Sequence, residues 1–70
     1  MKYLIVIEKS ETGCSAYSPD LPGCVSTGAD ETEVRRNMRE AIEFHIDGLK
    51  TEGQPVPQAT SKSSYVEVAA

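Results

Sequence analysis

Apolar residues occupy both faces of a strand predicted near the start of the chain, over Lys2–Lys9. In an extended backbone, successive side chains point to opposite faces. The two sets are Tyr3, Ile5 and Ile7 on one face, and Leu4, Val6 and Glu8 on the other. This pattern is typical of a central strand that is covered on two sides. The chain offers one helix for one face, so we expect a second chain to cover the other, with Tyr3, Ile5 and Ile7 as the oligomer interface.

Two further strands follow at short intervals. A polar turn ending in Gly13 separates the first strand from a second alternating segment, Cys14–Ser18, and this predicts a hairpin. Pro19 and Pro22 then interrupt the alternation, because proline has no N–H for a ladder hydrogen bond. The segment Cys24–Thr27 is predicted to be a short third strand.

One long helix is predicted from Asp30 to about Thr51. Asp30 suits the N-cap position, and Glu33, three residues later, makes an approximate capping box. Gly53 is well placed to end the helix as its C′ residue. At about 100° per residue, one helix face is apolar and should pack on the sheet. Its members are Val34, Met38, Ala41, Ile42, His45, Ile46 and Leu49.

The alternation returns in Ser64–Val68, which predicts a fourth strand. The element order is then β-β-β-α-β, in a single α+β domain over residues 1–70. A strand that returns after a helix should lie parallel to an earlier strand, through a right-handed crossover. Placing it beside the first strand gives a mixed four-stranded sheet of order 3-2-1-4, with the helix on one face.

The charge balance is acidic. The 70 residues include 11 acidic and 7 basic side chains, for a net charge of −4. Nucleic-acid-binding domains usually carry a basic footprint, so direct nucleic-acid binding is not expected, and a basic partner suits the chain better. A domain of this size has a marginal core. Association is therefore the expected stabiliser, and we predict a homo-oligomer, either a dimer or a tetramer.

The cysteines and the hydropathy pattern indicate a cytoplasmic protein. Cys14 and Cys24 could form at most one disulfide, and no signal peptide precedes them. The apolar run Tyr3–Ile7 is too short for a signal peptide or a membrane span. We therefore expect reduced thiols in a cytoplasmic protein that does not associate with membranes.

Candidate catalytic and metal-ligating residues are few. His45 could act as a general base or a metal ligand, but no nucleophile or polarising group accompanies it in the pattern. A histidine of the core or of an interface, with one hydrogen-bond partner, is the favoured interpretation. Cys14, Cys24 and His45 match no zinc-binding spacing. The sequence therefore predicts no catalytic residue, no metal and no cofactor.

A metal-dependent nuclease is the least favoured hypothesis. Such an enzyme would need acidic side chains that converge on one point of the sheet. The candidates are spread along the chain and suit a solvated surface better: Glu8, Glu40, Glu43 and Glu67. Three basic residues alternate with acidic ones at helical spacing, which favours exposed ion pairs over a phosphate site. These are Arg35, Arg36 and Arg39.

The most distinctive stretch is Tyr17–Cys24, with the sequence YSPDLPGC. Together with the segment Ser26–Asp30 and the amphipathic helix after it, this stretch resembles the HicB family, the antitoxins of HicAB toxin–antitoxin pairs. The resemblance covers nearly the whole chain, from the strand Lys2–Glu8 to the strand Tyr65–Val68. It implies a partial RNase H-like fold with the order β-β-β-α-β, which agrees with the order predicted from the pattern.

The resemblance also implies a binding module that is not an enzyme. A HicB-like protein binds its HicA toxin, a small RNase that cleaves mRNA, and blocks the active site. Many family members continue into a C-terminal DNA-binding domain; this sequence stops after the fourth predicted strand, so we expect none here. The predicted toxin contacts lie at the hairpin and in the proline loop: Glu8, Glu11, Asp20, Leu21, Pro22 and Gly23.

A second function class remains open at this point. A homo-oligomeric structural or regulatory module without a toxin partner would fit the same apolar first strand. It would form a stable dimer or larger assembly alone, whereas an antitoxin would also co-purify with a small basic RNase.

Overall fold

The computed structural model describes residues 1–70 and forms one antiparallel sheet with one helix. The strands are β1 (Val6–Ser10), β2 (Gly13–Tyr17) and β3 (Val25–Gly28), and the helix is α1 (Glu31–Thr51). The strand order is β1-β2-β3, with antiparallel pairing throughout. This confirms the α+β class and the predicted neighbours of the first three strands.

The ends of α1 follow the predicted capping residues. Asp30 is the N-cap, and its side chain accepts a 2.8 Å hydrogen bond from the amide of Glu33. The Glu33 carboxylate accepts in turn from the amide of Ala29, at 2.9 Å. At the other end, Gly53 has a φ of 71° and its amide donates to the carbonyl of Lys50 at 3.1 Å. These contacts satisfy backbone groups that a helix leaves without partners.

The core lies between α1 and the sheet. The helix packs across β2 and β3 and leaves the helix-facing side of β1 largely uncovered. Only 7 of the 70 residues are buried, so the core is thin for a domain that must be stable alone. Its apolar members are Cys14, Ala16, Leu21, Cys24, Val34 and Met38.

The apolar helix stripe is therefore only partly covered. Val34 and Met38, in the first half of α1, have no exposed surface. The other predicted members remain half-buried: Ala41, Ile42, His45, Ile46 and Leu49. A helix of 21 residues is about 31 Å long at 1.5 Å per residue, and so it outreaches strands of five residues at about 3.3 Å each.

The predicted bounds of the first strand are wrong at its start. The ladder begins at Val6, which pairs with Tyr17, and not at Lys2. Because β2 ends at Tyr17, just before Pro19, the preceding residues of the first strand have no ladder partner. The side chain of Ser18 makes one compensating contact, a 3.0 Å hydrogen bond to the carbonyl of Leu4.

The fourth strand predicted over Ser64–Val68 is not formed in this structure. The segment is exposed and carries no strand pairing, so the sheet has three strands and is not mixed. Consequently β1 is an edge strand and not a central one. The physical reason is that a strand requires a ladder partner, and an alternating sequence supplies only the side-chain pattern. No helix of the molecule is both long enough and apolar enough to cross a membrane.

Candidate binding surface

The distinctive proline loop closes one end of the sheet, here called the loop end. Ser18 donates its backbone amide to the carbonyl of Cys24 at 3.3 Å, which closes the loop. Inside it, the Leu21 amide donates to the carbonyl of Ser18 at 3.1 Å, and the Cys24 amide donates to the carbonyl of Leu21 at 3.0 Å. Gly23 has a φ of 81°, a conformation that side-chain-bearing residues rarely adopt. The loop is thus a compact double turn.

This loop directs two neighbouring side chains in opposite ways. Leu21 points into the core and has no exposed surface. Asp20 points outward and binds the segment that follows the helix. Its carboxylate accepts from the Ser61 hydroxyl at 2.8 Å and the Ser61 amide at 3.0 Å. It also accepts from the amide and the hydroxyl of Thr60, both at 3.2 Å.

The four hydrogen bonds of Asp20 form what we call the Asp20 clamp. The bonds from the Ser61 backbone amide and hydroxyl, aided by those of Thr60, hold the pKa of Asp20 below its usual value. A second tether acts on the same segment, because the Tyr3 hydroxyl donates to the carbonyl of Pro57 at 2.6 Å. The segment after α1 is therefore fixed at the loop end as far as Ser61.

A groove lies between α1 and the residues that precede β1. Its volume is about 600 Å³, and apolar side chains of the first strand and of α1 form its walls. The apolar lining is Met1, Tyr3, Ile5, Met38, Ile42 and Ile46. Arg35, Arg36 and Arg39 stand on its rim. The ion pairs of the helix engage Arg36 with Glu33 and Arg39 with Glu43 at 3.9 and 3.8 Å, and leave Arg35 unpaired.

The opposite end of the sheet, the hairpin end, is acidic. The β1–β2 turn and the start of α1 meet there and line a cleft of about 600 Å³. Glu11, Asp30 and Glu31 contribute carboxylates to this cleft, and Lys9 is its basic residue. Asp30 and Glu31 belong to the helix start, where the helix dipole favours negative charge. Their proximity to Glu11 is not evident along the chain, because it is the pairing of Cys14 with Gly28 that creates it.

The sheet face away from α1 is open. Cross-strand pairing aligns Val6, Tyr17 and Val25 in one row at the loop end. Val25 is 65% exposed and Tyr17 41% exposed, so this row is an apolar strip in contact with solvent. Sequence reasoning missed the strip, because the three residues lie far apart along the chain. The next row on this face is polar, with Glu8, Ser15 and Thr27.

The structure divides the predicted toxin contacts between the two ends of the molecule. Glu8 and Glu11 are exposed on the hairpin, whereas Pro22 and Gly23 are exposed at the loop end. Leu21, which is also in the predicted set, has no exposed surface in the chain by itself. Asp20 lies at the surface, but its carboxylate oxygens are engaged with Thr60 and Ser61.

The residues predicted for an oligomer interface lie on the helix-facing side of β1 and of the segment that precedes it. Tyr3, Ile5 and Ile7 pack against the core and are half-buried. The first two still line the open groove, and so remain accessible to another chain. The face that no helix covers carries Leu4 and Val6 instead.

The environments of Cys14, Cys24 and His45 suit structural roles. Cys14 and Cys24 are free and buried, as small core residues would be. Burial raises the pKa of the Cys24 thiol, which disfavours the reactive thiolate. His45 is half-buried and lines a shallow groove of about 380 Å³ with Phe44 and Leu49.

We expect acid to release the Asp20 clamp. Because the pKa of Asp20 is lowered in the folded state, the clamp contributes fully above the ordinary carboxyl pKa of about 4 and fades as the pH falls through the lowered value. In an Asp20→Asn variant, amide hydrogen exchange at Thr60 and Ser61 should be about tenfold faster at neutral pH, since the charge-assisted bonds are lost. Exchange in the strands should be unchanged, and equal exchange at Ser61 in both proteins would contradict the clamp.

The chain is similar to known proteins in sequence and in fold. A family described as HicB-like antitoxin of bacterial toxin–antitoxin systems matches residues 3–69. A 14.9 kDa protein of Haemophilus phage HP1 is 38% identical over 66 residues, which cover 94% of this chain and 50% of the phage protein. This chain thus spans half the length of that relative. A UPF0150 protein of Thermoplasma acidophilum is 37% identical over 67 residues, which cover 94% of this chain and 97% of that protein.

A solved structure is similar over most of the fold. It is a chain from a complex titled HicA3 and HicB3 toxin–antitoxin complex, with a TM-score of 0.74 and 35% sequence identity. The match covers 86% of this chain and 70% of that chain.

Proposed function

The chain belongs to the HicB-like antitoxin family, and we propose that it is the antitoxin of a toxin–antitoxin pair that binds and occludes a small mRNA-cleaving toxin of the HicA type. The observation that carries the proposal is the likeness, in sequence and fold, to a chain from a HicA–HicB complex. Occlusion requires a surface complementary to the toxin and no reacting group. The proposal therefore gives this chain a binding role and no catalytic one.

The acidic hairpin end is the part of the surface that we assign to the toxin. An RNA-cleaving protein needs basic groups to hold a polyanion. Glu11, Asp30 and Glu31 place carboxylates around one cleft, with exposed Glu8 on the adjacent strand. Charges of opposite sign at an interface speed the encounter and select the partner. Negative charge here would also compete directly with RNA for the basic groups of the toxin.

Co-expression with the protein encoded beside it tests the pairing. The expected result is that the neighbour is a small basic RNase, that it arrests growth alone, and that this chain relieves the arrest and co-purifies with it. A neighbour of another kind, or a toxin that does not co-purify, would contradict the proposal.

Charge reversal tests the assigned surface. In the variant Glu11→Lys with Glu31→Lys, we expect the affinity for the toxin to fall about tenfold or more, with a weaker dependence on salt. The matched control is Glu40→Lys with Asp47→Lys, which makes the same change in net charge on exposed helix positions that form no ion pair. Equal losses in both variants would indicate a general charge effect and not a local contact.

A homo-oligomeric module without a toxin is the second candidate. It is favoured by the thin core and by the half-buried apolar residues of the second half of α1. A stable assembly with no toxin encoded nearby would select it. Both candidate functions are compatible with a partial RNase H-like arrangement. In that arrangement a fourth strand would lie beside β1, and it would form only when chains assemble.

A further inference from the structure

The last part of the chain projects away from the body of the molecule. The radius of gyration is 13.9 Å, against about 11 Å for a compact chain of this length. Every residue after Ser61 is exposed, including three apolar ones of the tail: Tyr65 at 102%, Val66 at 81% and Val68 at 74%. Apolar side chains in alternation with polar ones are typical of a strand. The tail therefore has the sequence of a strand and no partner within its own chain.

An acceptor for a strand exists on the same molecule. The outer edge of β1 pairs with no other strand, and its backbone groups are free to bind one. Next to the start of β1 lies the groove of about 600 Å³, which is formed by residues 1–5 and α1. Tyr3, Ile5 and Ile42 are among its apolar walls, and none of them is fully buried. The groove is thus an uncovered continuation of the core.

We propose that two copies of this chain exchange their tails, so that Ser64–Val68 of each copy adds as a fourth strand to the β1 edge of the other and fills its groove. Each chain carries both a tail to donate and a free β1 edge to accept one. A two-fold dimer therefore pairs both tails and both edges at once, and leaves no free edge for further copies. This inference does not depend on whether a toxin is bound.

The tethers at the loop end favour exchange over folding back. The Asp20 clamp and the Tyr3–Pro57 hydrogen bond hold the chain up to Ser61. Beyond Ser61 every residue is exposed and none pairs with β1. An unpaired segment that begins directly after a fixed anchor can reach a second copy, and exchange of an identical element is a low-cost route to a dimer.

The side-chain pattern sets the orientation of the added strand. Val66 and Val68 lie on one face of an extended tail, and Tyr65 and Glu67 lie on the other. The valine face matches the apolar groove. Tyr65 and Glu67 then point away from the groove, so the match between the tail and the groove is one of apolar area.

Two single substitutions in the tail test the exchange. The wild-type chain is expected to be a dimer by light scattering at micromolar concentration. Val66→Asp should raise the dimer dissociation constant at least about 100-fold, because a carboxylate would enter the apolar groove without a partner. Tyr65→Asp adds the same charge on the opposite face of the tail and should raise the dimer dissociation constant less than about tenfold. Both variants should retain the circular dichroism of a folded helix, because the tail buries no residue within its own chain.

Several outcomes would overturn the proposal. They are a monomeric wild-type chain, a dimer that Val66→Asp leaves intact, and equal effects of the two substitutions. Dissociation by Val25→Asp with no effect of Val66→Asp would place the contact on the open sheet face instead.

Disulfide trapping separates exchange from folding back. A chain carrying Val66→Cys is mixed with a chain carrying Ile42→Cys and oxidised, while Cys14 and Cys24 stay buried. Exchange predicts a disulfide-linked heterodimer on a non-reducing gel. No heterodimer in the mixture, together with a disulfide that closes within one chain when both substitutions are combined, would show that the tail binds its own groove.

Discussion

Replacement of Leu21 by alanine is expected to lower the free energy of unfolding by about 2–5 kcal/mol. Leu21 has no exposed surface and packs with Val34 and Met38 in a core of very few residues. The cost includes the lost burial and the cavity that remains. A domain of this length has a total stability of about 4–10 kcal/mol. The substitution should therefore remove about half of the total stability.

Chemical denaturation monitored by circular dichroism measures this effect. Leu49→Ala is the matched control, because Leu49 is half-buried near the end of α1. It should cost less than about 1.5 kcal/mol, since less apolar area leaves water on folding. If the two leucine variants lose the same stability, the side chain of Leu21 does not belong to the core.

The substitution Gly28→Ala should destabilise the protein by about 1–3 kcal/mol or more. A Cβ atom on Gly28 would lie 2.6 Å from the backbone nitrogen of Val34 and 2.9 Å from its Cα. Backbone atoms of the first helical turn cannot move aside as a flexible side chain can. The helix would have to shift off β3, and the packing of Val34 would be lost with it.

Gly48→Ala is the control for glycine replacement itself. Gly48 lies inside α1, and a Cβ atom there would meet no atom within 4 Å. Alanine should stabilise that position by about 0.5–1 kcal/mol, because glycine costs a helix conformational entropy. Thermal unfolding of the two variants should therefore move in opposite directions. A Gly28→Ala variant as stable as the wild type would contradict the close contact of β3 with α1.

The proline loop is a structural junction as well as a family signature. Ser18 holds the first strand, Leu21 fills the core, and Asp20 holds the segment after the helix. Three parts of the chain that are distant in sequence are therefore joined by one short loop. The Asp20 clamp also fixes the point from which the tail departs. Under the proposed exchange, the loop therefore sets the point from which the tail would reach a second copy.

The helix and the hairpin could be predicted because their determinants are local. Asp30, Glu33 and Gly53 act on backbone groups within a few residues, so the sequence sets the ends of α1 without reference to the rest of the fold. The break at Pro19 follows from the missing N–H of proline. The family resemblance also came from one continuous stretch, and the match over residues 3–69 confirms it.

The candidate site could be predicted only in part. Glu11 was identified, but its neighbours in the acidic cleft, Asp30 and Glu31, come from the start of the helix. The motif singled out Asp20 and Leu21 together, although one binds a distant segment and the other is buried. A sequence pattern reports which residue types occur, and it does not report which of two adjacent side chains points inward at a turn.

The local sequence was enough to predict the first three strands, the helix with its caps, the break after β2 and the family. The tertiary structure alone decided that β1 is an edge strand, that Tyr3 and Ile5 line an open groove, and that Ser64–Val68 remains without a partner. The physical reason is that helix capping and chain breaks depend on neighbours a few residues away. Strand pairing depends instead on which segment reaches a free edge, within the chain or from another copy.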